Sequence, residues 1–416
     1  MTNSNLHSFG LLTEADLAPC ATGRSESLFA ADVAKAGTSL QTAVTGKRIL
    51  VIGGAGSIGG ATTELIADLR PAALHVVDQD ENRLVELVRT LRSRPQRLRV
   101  ADFRTLPLDF GADIMRMFLN SQAPYDAVLN FSAMKHVRSE KDSFSLLRIL
   151  DINVVRLARL MTWLADCGHK GRLFSVSTDK AANPTSLMGA SKRLMEHVMF
   201  AAEDLAGLDC VATSTRFANV AFSNGSLLQG FLQRLAKLQP LALPRATRRY
   251  FVSPEESGHI CLLASQAAPD RAVVIPRLHA ETDLVELQSV AERVLARLGL
   301  QPSYYDDETL AVAAVKTDID RCRYPVLLTP LDTSGEKAYE EFVGDGERER
   351  EIGYGQLTSV DYLPAPAGTL KPLVHWLTEA IAGHHAVTKE GIIERIAAVV
   401  PALRHIETGK NLDQRM

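Results

Sequence analysis

From residue 48 the chain alternates short apolar runs with longer stretches in which apolar positions recur every three or four residues. Arg48–Ile52 is a continuous apolar run, the pattern of a buried strand, and residues 58–69 follow with a helical period. Residues 74–78 predict a second strand, 97–102 a third, 113–120 a short helix and 127–131 a fourth strand. A long helix is expected over 146–164, with the polar Asn153 interrupting its apolar stripe. Residues 171–177 and 210–216 complete six strands, and a helical pattern starting at Met188 lies between them. This alternation predicts a parallel sheet with right-handed crossovers and helices on both faces.

After Arg216 the alternation weakens. Residues 219–225 read as a loop, 227–238 as a helix, 248–252 as a short strand with paired arginines, 256–266 as a helix and 272–276 as a strand. Residues 285–298 are amphipathic, and a proline-rich link at 363–366 precedes two helices near 370–383 and 389–403. The expected fold class is therefore α/β: a Rossmann-type doubly wound parallel sheet with a smaller C-terminal substrate lobe. The expected division is an N-terminal extension (1–45), a nucleotide-binding domain (46–216), a substrate lobe (217–345) and a C-terminal helical extension (346–416).

Composition narrows the function more than the fold. The 416 residues carry a net charge of −3, so there is no basic footprint for nucleic acid. No apolar run approaches the roughly 20 residues needed to span a bilayer, and residues 1–10 lack a signal-peptide core. The five cysteines (Cys20, Cys167, Cys210, Cys261, Cys322) are scattered without metal-ligand spacing. A cytoplasmic enzyme without a structural metal is the expectation.

The candidate chemistry sits at predicted strand ends, where an open parallel sheet binds ligands. Gly53, Gly56, Ser57, Ile58 and Gly59 follow the first strand directly. Glycines there permit a tight turn and close backbone approach to a pyrophosphate, with helix amides facing the phosphates. Asp78 ends the second strand about 20 residues on, the place of a ribose-binding carboxylate. An acid there favours a free 2′-hydroxyl and hence NAD; Arg83 nearby leaves NADP open. Asp102, at the expected end of the third strand, and Ser132 and Ala133, leaving the fourth, complete the candidate cofactor residues. Lys135 and His136 follow on the same edge, although a histidine satisfied by backbone groups is as common an outcome. Thr178, Asp179 and Lys180 leave the fifth strand, and Lys192 shares a helix face with Met188, four residues earlier. An isolated Asp-Lys pair is usually a surface charge pair; its position after a nucleotide-binding fingerprint is what marks this one.

These stretches resemble the extended short-chain dehydrogenase/reductases, in particular the polysaccharide-biosynthesis branch of nucleotide-sugar 4,6-dehydratases acting on UDP-N-acetylglucosamine. The similarity rests on the Gly53–Gly59 turn, Lys135-His136-Val137, Ser177-Thr178-Asp179-Lys180-Ala181-Ala182-Asn183-Pro184, Met188-Gly189-Ala190-Ser191-Lys192-Arg193, Arg216-Phe217-Ala218-Asn219-Val220 and Gly335-Glu336-Lys337. Met188 stands where the wider superfamily has a catalytic tyrosine. The long, membrane-anchored members of the branch share that replacement, and Gly23-Arg24 and Asp32 resemble their linker, so the chain resembles a soluble version of the long form.

The resemblance implies a tightly bound NAD or NADP recycled within each turnover, a nucleotide-sugar substrate and a homo-oligomer. It also implies that Asp179 protonates the departing 6-hydroxyl, Lys180 is the base at carbon 5 and Lys192 binds the nicotinamide ribose. Thr178 would hold the 4-hydroxyl, with either Asp179 or Lys180 receiving its proton. Lys135 and His136 are expected to line the sugar pocket. Asn219 and one or both of Arg248 and Arg249 are candidates for the diphosphate, since arginine suits bidentate phosphate contacts. The rival readings are a nucleotide-sugar epimerase, a dehydratase that also inverts carbon 5, and a non-catalytic NAD(P)-sensing protein.

Overall fold

The computed structural model describes residues 13–95, 97–135, 140, 142–330, 339 and 341–405. In chain order its strands begin with β1 (Arg48–Ile52), β2 (Ala73–Val77), β3 (Asp102–Leu106), β4 (Ala127–Asn130), β5 (Arg172–Val176) and β6 (Val211–Thr215). There follow β7 (Asn219–Val220), β8 (Leu241–Pro244), β9 (Arg248–Val252), β10 (Ala272–Pro276) and β11 (Leu284–Glu286). The last four are β12 (Gln301–Tyr305), β13 (Arg323–Thr329), β14 (Glu349–Arg350) and β15 (Leu357–Asp361).

The main sheet has the order β14-β15-β10-β6-β5-β4-β1-β2-β3. Every pairing from β3 to β10 is parallel, while β15 and β14 add antiparallel strands beyond β10. Strand order reverses between β1 and β4, where the loops leaving the two strands diverge and open a crevice. The doubly wound Rossmann-type sheet is thus as expected. Its apolar strands are buried because helices cover both faces; Ile49, Leu50 and Val51 have no exposed surface.

Two small sheets, β11-β9-β7 and β12-β13-β8, lie beside the main one. The second, with the helix Glu308–Asp320, was not legible in the pattern: in β12 only Ser303 is buried. The third strand also differs from expectation. It runs over Asp102–Leu106 instead of 97–102, because β2 pairs from Ala73↔Asp102 to Val77↔Leu106. The alternating residues 97–101 lie before it without regular structure.

The C-terminal part is not a purely helical extension. β15 pairs with β10 along its whole length, so this segment belongs to the central sheet. The two expected helices form as Leu370–Ile381 and Lys389–Val399. Their buried Leu373, Leu377, Ile392 and Ile396 join the main core, packed on the helix Ser143–Leu150, the π turn Asp151–Val155 and the helix Leu187–Phe200. Every residue of that last helix is buried. The N-terminal segment is tied down too. Arg24 pairs with Glu256 at 2.7 Å, and buried Asp32 accepts from the Gly355 and Gln356 amides at 2.6 and 2.7 Å.

If the C-terminal helices are part of the core, Leu377→Ala costs about 2–5 kcal/mol of unfolding free energy in urea titration. Leu310→Ala, at an exposed position, stays within about 0.5 kcal/mol.

Candidate active site

The glycine turn after β1 is shaped by close backbone approach. Gly53 has φ +70°, and a Cβ there would lie 2.7 Å from the Ser132 amide nitrogen leaving β4. A Cβ on Gly59 would fall onto the Gly53 carbonyl oxygen, so only glycine lets the helix Ser57–Asp68 press against the turn. No side chain caps that helix, leaving its first amides directed at the crevice. Asp78 stands at the rim, its carboxylate accepting from the Ala55 amide at 3.1 Å and the Asp80 amide at 3.0 Å. The Asn224 amide donates to the Ser57 hydroxyl at 3.0 Å, bringing the loop after β7 over the same mouth. Ser132 donates its amide to Asn130 Oδ1 at 3.1 Å, and half-buried Ala133 continues the exit of β4. A cradle that Cβ atoms would fill, with uncapped amides and a carboxylate about 20 residues on, fits the pyrophosphate and ribose of a dinucleotide.

Asp102 does not belong there. It opens β3 at the N-terminal edge of the sheet, opposite the crevice, and accepts from His75 Nε2 at 3.0 Å and Arg104 Nε at 2.7 Å. The acid just past the crevice end of β3 is Asp109, paired with Arg156 and accepting from the Gly111 amide at 2.9 Å.

Across the crevice, β5 ends at Val176 and the chain turns through one 3₁₀ turn, Asp179–Ala181. Asp179 is only 2% exposed, and its two oxygens differ. Oδ1 accepts from the Thr178 hydroxyl at 2.7 Å, the Lys180 amide at 2.9 Å and Lys180 Nζ at 3.0 Å. Oδ2 is buried and has no hydrogen-bond partner among the described residues. Native proteins seldom leave such an atom unpaired, and at the end of β5, beside the crevice, a donor on a bound ligand could pair it.

The helix Leu187–Phe200 is pressed onto this turn. A Cβ on Gly189 would lie 2.5 Å from the Lys180 carbonyl oxygen. That approach places Lys192 one helical turn on, buried, with Nζ donating to the Val176 carbonyl at 2.6 Å and lying 3.3 Å from Met195 Sδ. Burial pushes its ammonium down to about 8, against the opposing pull of Glu196. Met188, in the place of the superfamily tyrosine, is buried and donates its amide to Glu140 Oε1 at 2.8 Å. Asn153, the polar residue in the apolar stripe, lies in the π turn and brackets the Met134 backbone with two 2.9 Å bonds.

Behind the turn lies a charge cluster that sequence reasoning missed. Fully buried Arg216 binds Glu196 through Nε and Nη2 at 2.8 and 2.7 Å, and Glu347 through Nη1 and Nη2 at 2.6 and 2.9 Å. Arg193 also pairs with both acids, and the Ser177 hydroxyl donates to Glu196 at 2.6 Å. Burial alone would raise the Glu196 pKa, but Arg216, Arg193 and the Ser177 bond hold it down to about 2. Glu196 was readable as an acid four residues after Lys192; Glu347 carried no signal.

The other expected residues are more dispersed. Lys135 follows β4; its surface is open to solvent, yet surrounding protein and Arg83 lower its pKa against the pull of Glu14. His136 and Gly335-Glu336-Lys337 lie outside the described residues. Asn219 donates to the Tyr250 carbonyl at 3.4 Å. Arg248, exposed on β9, donates to the Ala280 carbonyl at 3.1 Å and Arg249 to the Arg248 carbonyl at 2.9 Å. Among the described residues no group of His, Cys, Asp and Glu could hold a metal, and no helix is long and apolar enough to cross a membrane.

A family model described as polysaccharide biosynthesis protein matches residues 49–361. The chain belongs to this family. It is 28% identical over 238 residues to a Campylobacter jejuni protein named UDP-N-acetylglucosamine 4,6-dehydratase (inverting), covering 56% of this chain and 67% of that one. An uncharacterized membrane protein of Methanocaldococcus jannaschii is 30% identical over 262 residues, 62% of this chain and 74% of its own length. A capsular polysaccharide biosynthesis protein of Staphylococcus aureus is 29% identical over 253 residues, 59% of this chain and 40% of its own length. The structure of Pen from Bacillus thuringiensis shares the fold, with TM-score 0.61 and 20% identity over 78% of this chain and 89% of that one. This polysaccharide-biosynthesis protein therefore has nucleotide-sugar dehydratases among its relatives, and its glycine turn, Asp179 turn, Lys192 and Glu347 all fall inside the family match.

Two outcomes follow from this packing. Gly189→Ala forces the helix off the Lys180 carbonyl and lowers turnover by about 10- to 100-fold, measured as kcat on the competent substrate. Burial holds the Lys192 pKa down at about 8 in the folded chain, against about 10.4 when unfolded, so between those values the unfolded chain binds more protons and stability rises with pH. In urea titrations at pH 8 and 10, Lys192→Met lacks that rise, and the difference moves in the wild type's favour at the higher pH.

Proposed function

We propose that this protein is an NAD(P)-dependent nucleotide-sugar 4,6-dehydratase that converts UDP-N-acetylglucosamine to a UDP-4-keto-6-deoxy-N-acetylhexosamine for surface polysaccharide or glycan synthesis. The observation that carries this reading is the divided carboxylate of Asp179. One oxygen is held by three donors and the other is buried without a hydrogen-bond partner among the described residues, beside an amine and across the crevice from the glycine cradle. Gly53, Gly59 and the amides of Ser57 and Ile58 would hold the dinucleotide's phosphates, with Asp78 at its ribose. Once bound there, NAD(P)⁺ supplies a reversible hydride acceptor, so that hydride lost from carbon 4 is regained at carbon 6.

The chain's own groups would move the protons. Thr178 donates to Asp179 Oδ1, which leaves its oxygen able to accept from the sugar's 4-hydroxyl. That bond gives the 4-hydroxyl proton a path to Asp179. Lys180, as the neutral amine, takes the proton at carbon 5, made acidic by the adjacent ketone. Asp179 then passes the proton so gained to the departing 6-hydroxyl, its carboxyl group turning to present it on the Oδ2 side, and the hydroxyl leaves as water. Lys180 returns its proton to carbon 5 as carbon 6 is reduced, so the net change is loss of one water. Lys192, bonded to the end of β5, would bind the nicotinamide ribose, and Lys135, Asn219 and an arginine of β9 the sugar and diphosphate.

A nucleotide-sugar epimerase shares the fold, and relatives named UDP-glucose 4-epimerase are 22% identical over 244 residues. A buried acid paired with a base is what elimination needs and epimerisation at carbon 4 does not. Mass spectrometry of the product from UDP-N-acetylglucosamine checks the assignment: a species lighter by one water is expected, and an isobaric product would make the protein an epimerase. In heavy water the exchanged Lys180 amine carries deuterium, so the ammonium formed returns deuterium to carbon 5 in most turnovers. Lys180→Ala and Asp179→Asn each reduce kcat by about 10²- to 10⁴-fold.

A further inference from the structure

The turn that carries Asp179 poses a mechanical problem. A buried carboxylate oxygen without a partner favours any rearrangement that brings it to water or to a donor. The turn itself is one 3₁₀ turn, too short to resist alone. Something outside it must hold it: the helix Leu187–Phe200 braces it at Lys180, and a second set of restraints converges from one remote segment, residues 341–347.

Four residues of that segment reach the turn or its support. The Asp345 amide donates to Asn183 Oδ1 at 2.9 Å, and Asn183 Nδ2 donates to Glu341 Oε2 at 3.1 Å. Gly344 lies so close that a Cβ would sit 2.5 Å from the Ala182 carbonyl oxygen, and its amide donates to Glu347 Oε2 at 2.7 Å. Glu347 then grips Arg216 and Arg193, which grip Glu196, which accepts from Ser177 at the start of the turn. Two arginines and two glutamates close this cluster with matched charge. Such clusters are weak devices for stability, since apolar residues often serve as well, so a geometric role is the better reading of one placed here.

We propose that Glu347 is a positioning residue: through Arg216, Glu196 and Ser177, and through Gly344 on Ala182, it fixes the turn that presents Asp179 and Lys180 to the substrate. The role assigned to that turn rests on the dehydratase reading; the clamp itself does not. Glu347 touches neither substrate nor cofactor in this scheme, so its loss separates the kinetic constants. Glu347→Gln keeps the volume and removes the charge. Its kcat falls by about 10- to 100-fold while KM for the nucleotide sugar and the dissociation constant for NADH stay within about twofold. Glu347→Asp, which retains the charge, recovers part of the loss. Hydrogen–deuterium exchange of the peptide spanning 177–184 rises in Glu347→Gln by more than exchange of the β1 peptide does.

Unchanged kcat together with unchanged exchange at 177–184 overturns the proposal, as does a uniform rise in exchange across the chain. The wild-type protein supplies a readout that no folding defect can obscure. In native-state exchange at low urea, 177–184 and 342–347 are expected to open together, and separate opening overturns the clamp. If wild type dehydrates no nucleotide sugar, the function reading fails, while the exchange data still decide for or against Glu347.

Discussion

A guanidinium with no exposed surface needs fixed negative charge around it, and Arg216 at the end of β6 obtains that charge from two directions. Glu196 arrives on the helix Leu187–Phe200 and Glu347 from the segment leading into β14. The cluster therefore locks together a strand end, the helix that carries Lys192 and a part of the chain more than a hundred residues away. Removing one member strands a buried charge, a cost of about 3–5 kcal/mol in comparable pairs. The crevice between the glycine turn and the Asp179 turn takes its shape on this support.

Above the cluster, two helices approach backbone on the crevice side, each through a glycine. Gly59 brings the helix Ser57–Asp68 against the turn after β1, and Gly189 brings the helix Leu187–Phe200 against the turn after β5. The first contact leaves amides uncapped for an anion; the second sets Lys192 on the Val176 carbonyl. One loop is thereby suited to phosphate and the other to proton transfer, on the two sides of the crevice.

Much of this was legible because it is local. The β1 apolar run, the glycine spacing, Asp78 and the Thr178-Asp179-Lys180 sequence all act within a few residues of where they stand. Lys192 was found because helical periodicity carries position four residues forward. What failed was nonlocal. The place of β3 depends on its register with β2, which moved Asp102 to the far edge of the sheet. β15 looked like part of a helical tail because its membership in the sheet is decided by pairing with β10. Glu347 is one acid among many until the fold brings it to Arg216.

The most direct test is a crystal structure of the Asp179→Asn variant with NAD⁺ and UDP-N-acetylglucosamine bound. The dehydratase geometry predicts the sugar's 6-hydroxyl within hydrogen-bond distance, about 3 Å, of the residue-179 side-chain atom that replaces Oδ2. It also predicts carbon 5 facing Lys180 Nζ. A sugar bound elsewhere, with residue 179 satisfied by water or by protein, would contradict it.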